Sequence, residues 1–352
     1  MRSGDSSHRP ATIPDDGVAA DVPVPLGTAT GIGSLPHGDP ATAVAWVLDV
    51  TPELPAAPSL PRHDPREAMI PQAAWGIAGI TVAPDGSLSV EASALDPDAP
   101  IAADALAGPA FTTFREFTAA ITGRTAPVKV QVTGPVTLTA ALVDAGVDAA
   151  LARRIAGPAV RARAAALVDA VAEVAPAAPL IAFVDEPSLV GGPPERLGHP
   201  EELVDLVSGA LAALEPRATT GLHCCGPTDW RVVLDAGPRI LSAPVGADLE
   251  LGAGALTAFL DRGGWIAWGA VPTDRPLGDT ASRCWRDLSA QWCALVRSGC
   301  DPVLIRQQAL VTPVCGLALH DRDQIGRVMF HARTLGARIY EQLAGVRLSV
   351  GA

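Results

Sequence analysis

Lysine is almost missing from this chain: of the 26 Lys and Arg side chains in 352 residues, only Lys129 is a lysine. Set against 38 acidic side chains, they leave a formal net charge of −12. That sign excludes the usual uses of a basic surface, which are to neutralise nucleic-acid phosphates or to adhere to anionic lipid, so neither nucleic acid nor a membrane is expected as a partner. Aromatic side chains are scarce as well, at 4% of the chain, a compositional bias that says little about function. No apolar run approaches the roughly 18 residues of a membrane span. The opening MRSGDSSHRPATIPDDGVAADVP lacks the apolar segment of a secretory signal, so the chain is expected in the cytoplasm. Residues 1–24, rich in Pro, Asp and Ser, are expected to form a flexible tail. Cysteine is absent from the N-terminal half. All six (Cys224, Cys225, Cys284, Cys293, Cys300, Cys315) lie beyond residue 223 of a long chain, which is no disulfide framework and fits buried or metal-binding thiols in a reducing compartment.

What the chain does have is apolar content, 48%, enough for a sizeable core. From about residue 28, short apolar runs alternate with longer amphipathic stretches, the pattern of repeated βα units and a mostly parallel sheet. Eight strands are expected: TATGIGS (28–34), ELPAAPSL (53–60), VKVQVTG (128–134), PLIAFVD (179–185), ATTGLHC (218–224), PRILSAP (238–244), WIAWGAV (265–271) and one within VLIRQQALVTPV (303–314). Helices are expected from Asp39-Pro40, where an acidic N-cap precedes proline, and over 148–174, 201–214, 252–262, 281–298 and 321–343. Eight such units predict one (β/α)8 TIM barrel over residues 25–352. The longest insertion, 61–127 between the second and third strands, holds TVAPDGSLSVEA, which reads as a small hairpin. An open doubly wound sheet is the alternative architecture.

A barrel gathers its chemistry just after the C-terminal ends of its strands, and the unusual residues fall there. Gly33-Ser34 follows the first strand, Thr133-Gly134-Pro135 the third, Asp185-Glu186-Pro187 the fourth, His223-Cys224-Cys225 the fifth, Thr273-Asp274 the seventh and Cys315-Gly316 the eighth. Residues two apart in an extended segment share a side, so His223 and Cys225 can both face the mouth while Cys224 turns outward. An imidazole and a thiolate on one face make half of a zinc site, and they fit a buried structural pair equally well. Cys315, at another strand end within TPVCGLA, can supply a second sulfur. Cys284, Cys293 and Cys300, in or just after a helix, read as small core residues. A metal held by two thiolates and one imidazole has its charge largely offset. Such a site polarises water poorly and suits the binding of an incoming thiol as thiolate. Ile181, Phe183 and Asp185 share a face, so Asp185 can reach the mouth and hold a substrate ammonium; capping a loop or pairing with an arginine would explain it as well. The amides and hydroxyl of Gly33-Ser34 suit a substrate carboxylate, or simply an ordinary turn.

Taken together, GIGSLPH (31–37), VTGPVTL (132–138), VDEPSL (184–189), GLHCCG (221–226) and TPVCGLA (312–318) resemble the catalytic C-terminal domain of cobalamin-independent methionine synthase, in the family's order. The resemblance implies a TIM barrel that methylates homocysteine with the help of zinc. It implies His223, Cys225 and Cys315 as zinc ligands, Asp185 as the residue that binds the homocysteine amino group, and Ile32 and Ser34 as contacts to its backbone end. The family's carboxylate ligand after the sixth strand has no counterpart within SAPVGADLELG, where Pro244 takes its place and Asp248 or Glu250 is left to reach the metal. A family histidine after the seventh strand is missing from VPTDRP, where Asp274 is the replacement, and a family glutamate is replaced around Met69-Ile70-Pro71. The sequence also holds no counterpart of the family's N-terminal half, which helps to bind folate. The resemblance therefore implies a methylcorrinoid protein as methyl donor in preference to methyltetrahydrofolate. Two other readings stay open: a methyltransferase acting on another small thiol, and a zinc-binding barrel without turnover.

Overall fold

The computed structural model describes residues 22–350 apart from 100, 103 and 193, so most of the expected tail, 1–21, lies outside the described residues. In chain order the elements begin with α1 (Pro40–Val50), α2 (Met69–Ala74), β1 (Ile80–Val82), β2 (Leu88–Val90) and α3 (Thr112–Ala120). The next are β3 (Val128–Thr133), α4 (Pro135–Asp144), α5 (Ala149–Val174), β4 (Leu180–Asp185), α6 (Pro200–Leu214) and β5 (Thr219–His223). There follow α7 (Trp230–Asp235), β6 (Ile240–Pro244), α8 (Ala253–Asp261), β7 (Trp265–Val271), α9 (Ser282–Arg297), α10 (Leu304–Gln307), β8 (Ala309–Pro313) and α11 (Arg322–Val350).

Side-chain caps start the helices where the sequence places them. The Asp39 carboxylate accepts from Thr42 N–H at 2.8 Å ahead of Pro40, and Asp148 accepts from the amides of Ala150 and Leu151 ahead of α5. Within the insertion, β1 and β2 pair antiparallel around Asp85-Gly86 as the expected hairpin. Strands β3 to β8 form one parallel sheet in sequence order. Helices pack on its outer face over one large apolar core.

Six strands form, where the sequence predicts eight. The segments expected to supply the other two are extended but make only single bridges: Ala29 to Val311 on the β8 edge, Ala56 to Lys129 on the β3 edge, and Ser34 to Ser59 between them. Composition explains why no ladder propagates. Pro55 and Pro58 have no N–H to donate, and Gly33 takes a left-handed φ of 152°. A side chain at Gly33 would also run into the Gln131 amide. The result is a curled sheet whose two edges are linked by bridging segments.

The inner face of the curl is closed at the amino end by an apolar plug that includes Ile181, Phe183, Ile240, Trp265 and Leu310. Val22 and Val24 belong to this plug, at 5% and 7% exposure. Val22 and Val24, within the stretch 1–24 expected to be a tail, are therefore packed into the core. Replacing Val24 with Asp would bury an unpaired carboxylate there, so we expect a loss of about 3 kcal/mol or more in thermal or denaturant unfolding. An unchanged midpoint would show that these residues contribute nothing. Among the described residues, no helix is long and apolar enough to cross a membrane.

Candidate metal and substrate site

Strand register brings the unusual residues into one row. Thr133 of β3 pairs laterally with Asp185 of β4, Asp185 with His223 of β5, and His223 with Ser242 of β6. All four lie at or near the carboxyl ends of their strands and on the inner face, as the two-residue period demands. Asp185, His223 and Ser242 are each at most 5% exposed.

The two residues of the Asp185-Glu186 step face opposite ways. Glu186 points outward and anchors α4: its carboxylate accepts from Val136 N–H at 2.8 Å, from Thr137 N–H at 2.8 Å and from the Thr137 hydroxyl at 2.6 Å. It thus serves the free amides of a helix start, where the helix dipole also favours a negative charge. The glycine of VTGPVTL is explained by the same contact, because a Cβ on Gly134 would overlap the Glu186 carboxylate. Burial raises Glu186 to about 7, against the pull of its three donors.

Asp185 points inward, and its Oδ1 is buried without a hydrogen-bond partner. Burial pushes its carboxyl up to about 7, while the charge of Lys129 pulls it down and those of Cys315 and Glu186 add to the rise. An orphaned carboxylate oxygen at the end of an inner strand is a place for a donor that the chain itself does not supply.

His223 Nδ1 lies 2.9 Å from Ser242 Oγ, which orients the ring and leaves Nε2 for another partner. Burial, helped by the positive charge of Lys129, lowers its pKa to about 3, so the imidazole is neutral as a metal ligand must be. Cys225 and Cys315, which follow β5 and β8, meet across the mouth closely enough for their thiols to interact. That interaction lowers Cys315 to about 6 and raises Cys225, so the pair carries one proton and one negative charge at neutral pH. In metal-free protein, iodoacetamide should therefore modify Cys315 first, at a rate that climbs through a pH of about 6. A midpoint near the ordinary thiol value of about 8.5 would contradict this.

Beside Cys315, Gly316 packs against Ser34 so closely that a Cβ on Gly316 would overlap the Ser34 hydroxyl. Among the described residues, no hydrogen bond takes the amide N–H of Gly33 or Ser34, and both residues are partly exposed. Ile32 is buried, and its carbonyl accepts from Lys129 Nζ at 2.8 Å.

Other sequence candidates stand apart. Asp248 is exposed, at a left-handed φ of 54°, and Glu250 accepts from Gln291 Nε2 at 3.0 Å. Asp274 is exposed after β7, 3.9 Å from the guanidinium of Arg275. Cys224, as alternation requires, packs into the outer core. Cys284 and Cys300 are buried too, but Cys293 is exposed on α9 and is no core residue. The sequence alone assigns no site role to Lys129, Glu186 or Ser242; the rarity of lysine is the one signal available, and it points to Lys129.

The donor set fits a thiophilic cation in kind: two sulfurs already adjoin, one is easily deprotonated, and a neutral imidazole ends the neighbouring strand segment. It is not a finished cage, since among the described residues no three His, Cys, Asp or Glu side chains are grouped closely enough to hold a metal as they stand.

No family model and no curated protein matches this sequence. Among solved structures, the chain is similar to a methyltransferase from Methanosarcina mazei, with a TM-score of 0.55 at 19% identity over 90% of this chain and 94% of that one. A modular endo-β-1,4-mannanase from Cellulomonas fimi matches at a TM-score of only 0.34 and 15% identity, over 63% of this chain and 56% of that one, too little to support an argument. At such identity the first likeness speaks for architecture alone: over nine-tenths of its length, this chain has the fold of that methyltransferase.

Proposed function

We propose that this chain is a zinc-dependent S-methyltransferase that transfers a methyl group to the thiol of homocysteine, forming methionine. In this reading the curled sheet and its two bridging segments form a closed (β/α)8 barrel. The observation that carries the proposal is the meeting of Cys225 and Cys315 at the mouth, with the orphaned carboxylate of Asp185 in the same inner row as His223. Likeness in fold to a methyltransferase supports it.

His223, Cys225 and Cys315 would hold the metal. When bound, zinc supplies a charge that keeps an incoming thiol deprotonated below its free pKa of about 8.5 while its sulfur stays nucleophilic. The chain's own residues do the rest. Asp185 takes the substrate ammonium with its unpartnered Oδ1, and the free amides of Gly33 and Ser34, with the Ser34 hydroxyl, take the carboxylate. Ser242 keeps the His223 ring turned. Asp248 or Glu250 is the candidate for a fourth protein ligand, and Glu250 would have to leave Gln291 to serve. Asp274, exposed after β7, is our candidate for assisting the methyl donor, for which we propose a methylcorrinoid protein, with methyltetrahydrofolate second. A cytoplasmic setting would keep the two thiols reduced.

The ungrouped ligands favour one rival, a zinc-binding barrel without turnover, and another small thiol as substrate is the other. A methyl-transfer assay with methylcobalamin as donor, run over homocysteine and other small thiols, separates the three. Methionine formation dependent on added zinc is expected. Zinc uptake with no thiol methylated would leave the inactive barrel.

A further inference from the structure

Lys129 is used by nothing so far described, and it is the most anomalous side chain in the protein. It is the only lysine, in a chain whose other basic side chains are all arginine, and it is 2% exposed on the inner face of β3. Its ammonium donates to Ile32 O at 2.8 Å and to Gln131 Oε1 at 3.2 Å, and lies 4.9 Å from the centre of the Phe183 ring. Gln131 in turn donates to Ala57 O at 2.7 Å and packs against Gly33. Lys129 therefore braces the same Ile32–Ser34 turn in which the amides of Gly33 and Ser34 are left unpaired. Phe183 and Asp185 share the inner face of β4, and the Lys129 charge acts on Asp185 without forming a direct ion pair. A guanidinium would be a poor replacement: it is flat, five-donor and bulky, whereas this position offers two acceptors and needs a compact charge.

Resting on the reading of the site as a thiol-binding centre, we infer that Lys129 is a specificity-determining positioning residue whose fixed positive charge, set against Asp185, matches the site to a zwitterionic α-amino acid. The argument is one of charge balance. Lys129 and Asp185 together are neutral in a buried interior. A ligand that brings one ammonium to Asp185 and one carboxylate to the Gly33–Ser34 amides keeps that interior neutral. Counted apart from the sulfur, whose charge is common to all three kinds of thiol and would face the metal, a thiol without the carboxylate adds a net positive charge and one without the ammonium adds a net negative charge, and buried uncompensated charge is costly. The site thus selects an amino-acid thiol over anionic coenzyme thiols and over simple aminothiols.

Two measurements test this. The first is thermal unfolding of metal-free wild type, Lys129→Met, Asp185→Asn and the double variant. Each single change leaves one buried charge unmatched, so the double variant is expected to recover at least half of the summed losses; a loss equal to the sum overturns the pairing. The second is calorimetric binding to zinc-loaded wild type and Lys129→Met of homocysteine, of 3-aminopropanethiol, which lacks the carboxylate, and of 4-mercaptobutanoate, which lacks the ammonium. Wild type should prefer homocysteine. Lys129→Met should weaken homocysteine by about tenfold or more and leave 3-aminopropanethiol unchanged or tighter. An equal loss for both thiols, or loss of zinc itself, overturns the assignment of Lys129. Failure of wild type to bind any of the three sinks the thiol-centre reading on which the inference rests, and the unfolding cycle keeps that failure distinct from a failure of the charge pair.

Discussion

Replacing Cys315 with serine is expected to take the protein from about one zinc per chain to almost none, and Cys225→Ser should do the same. Serine keeps the shape of the side chain, but its hydroxyl stays protonated near neutral pH, where Cys315 is largely thiolate with a pKa of about 6. Loss of either sulfur also removes the interaction that lowers Cys315. The control is Cys293→Ser, whose thiol is exposed on α9, and it should retain full metal content. Metal analysis after dialysis reads the difference directly. Equal zinc in the Cys293 and Cys315 variants, whether high or low, would remove the site from consideration.

The second large effect belongs to a residue with no chemical role in this account. Glu186→Ala leaves the Val136 amide and both donors of Thr137 facing a dry cavity. With a cost of about 1–3 kcal/mol for each buried donor left unpaired, a loss of roughly 3 kcal/mol or more is expected, read as a drop in the unfolding midpoint. The sign of the pH dependence follows from burial. The folded carboxyl titrates at about 7, above the ordinary glutamate value of 4.5 that holds in the unfolded chain, so the folded state binds the extra proton between those two values. The contribution from Glu186 is fully present below 4.5 and is lost as pH rises through about 7. Asp185, raised to the same value, acts in the same direction. The stability advantage of wild type over Glu186→Ala should therefore shrink between pH 4.5 and about 7; an identical slope in the two proteins would contradict the shift.

Much of this architecture could be read from periodicity and caps. All six strands of the sheet, α1 behind Asp39 and α5 behind Asp148 fall within a residue or two of where alternation and acidic N-caps put them. The two segments that failed as strands did so for a local reason, since Pro55, Pro58 and Gly33 allow extension and deny the ladder. Alternation suffices to set Asp185 against Glu186 and Cys224 against its neighbours, because side is a property of the strand itself. Partners are another matter. That Glu186 holds α4, that Gln291 holds Glu250 and that Ser242 holds His223 depends on elements remote in sequence, and no spacing encodes them. The same limit hid Val22 and Val24, two isolated apolar residues among Pro and Asp whose value comes only from the plug they complete.

The central claim is that the mouth holds a zinc ion on Cys225, Cys315 and His223 and presents it to a substrate thiol. X-ray absorption at the zinc edge, on protein loaded with one equivalent of metal and compared with and without homocysteine, tests it most directly. The account predicts a first shell of two sulfurs at about 2.3 Å and one nitrogen at about 2.0 Å, with a third sulfur at the same distance when homocysteine is added. A shell of nitrogen and oxygen alone, or a spectrum that homocysteine leaves unchanged, would contradict it.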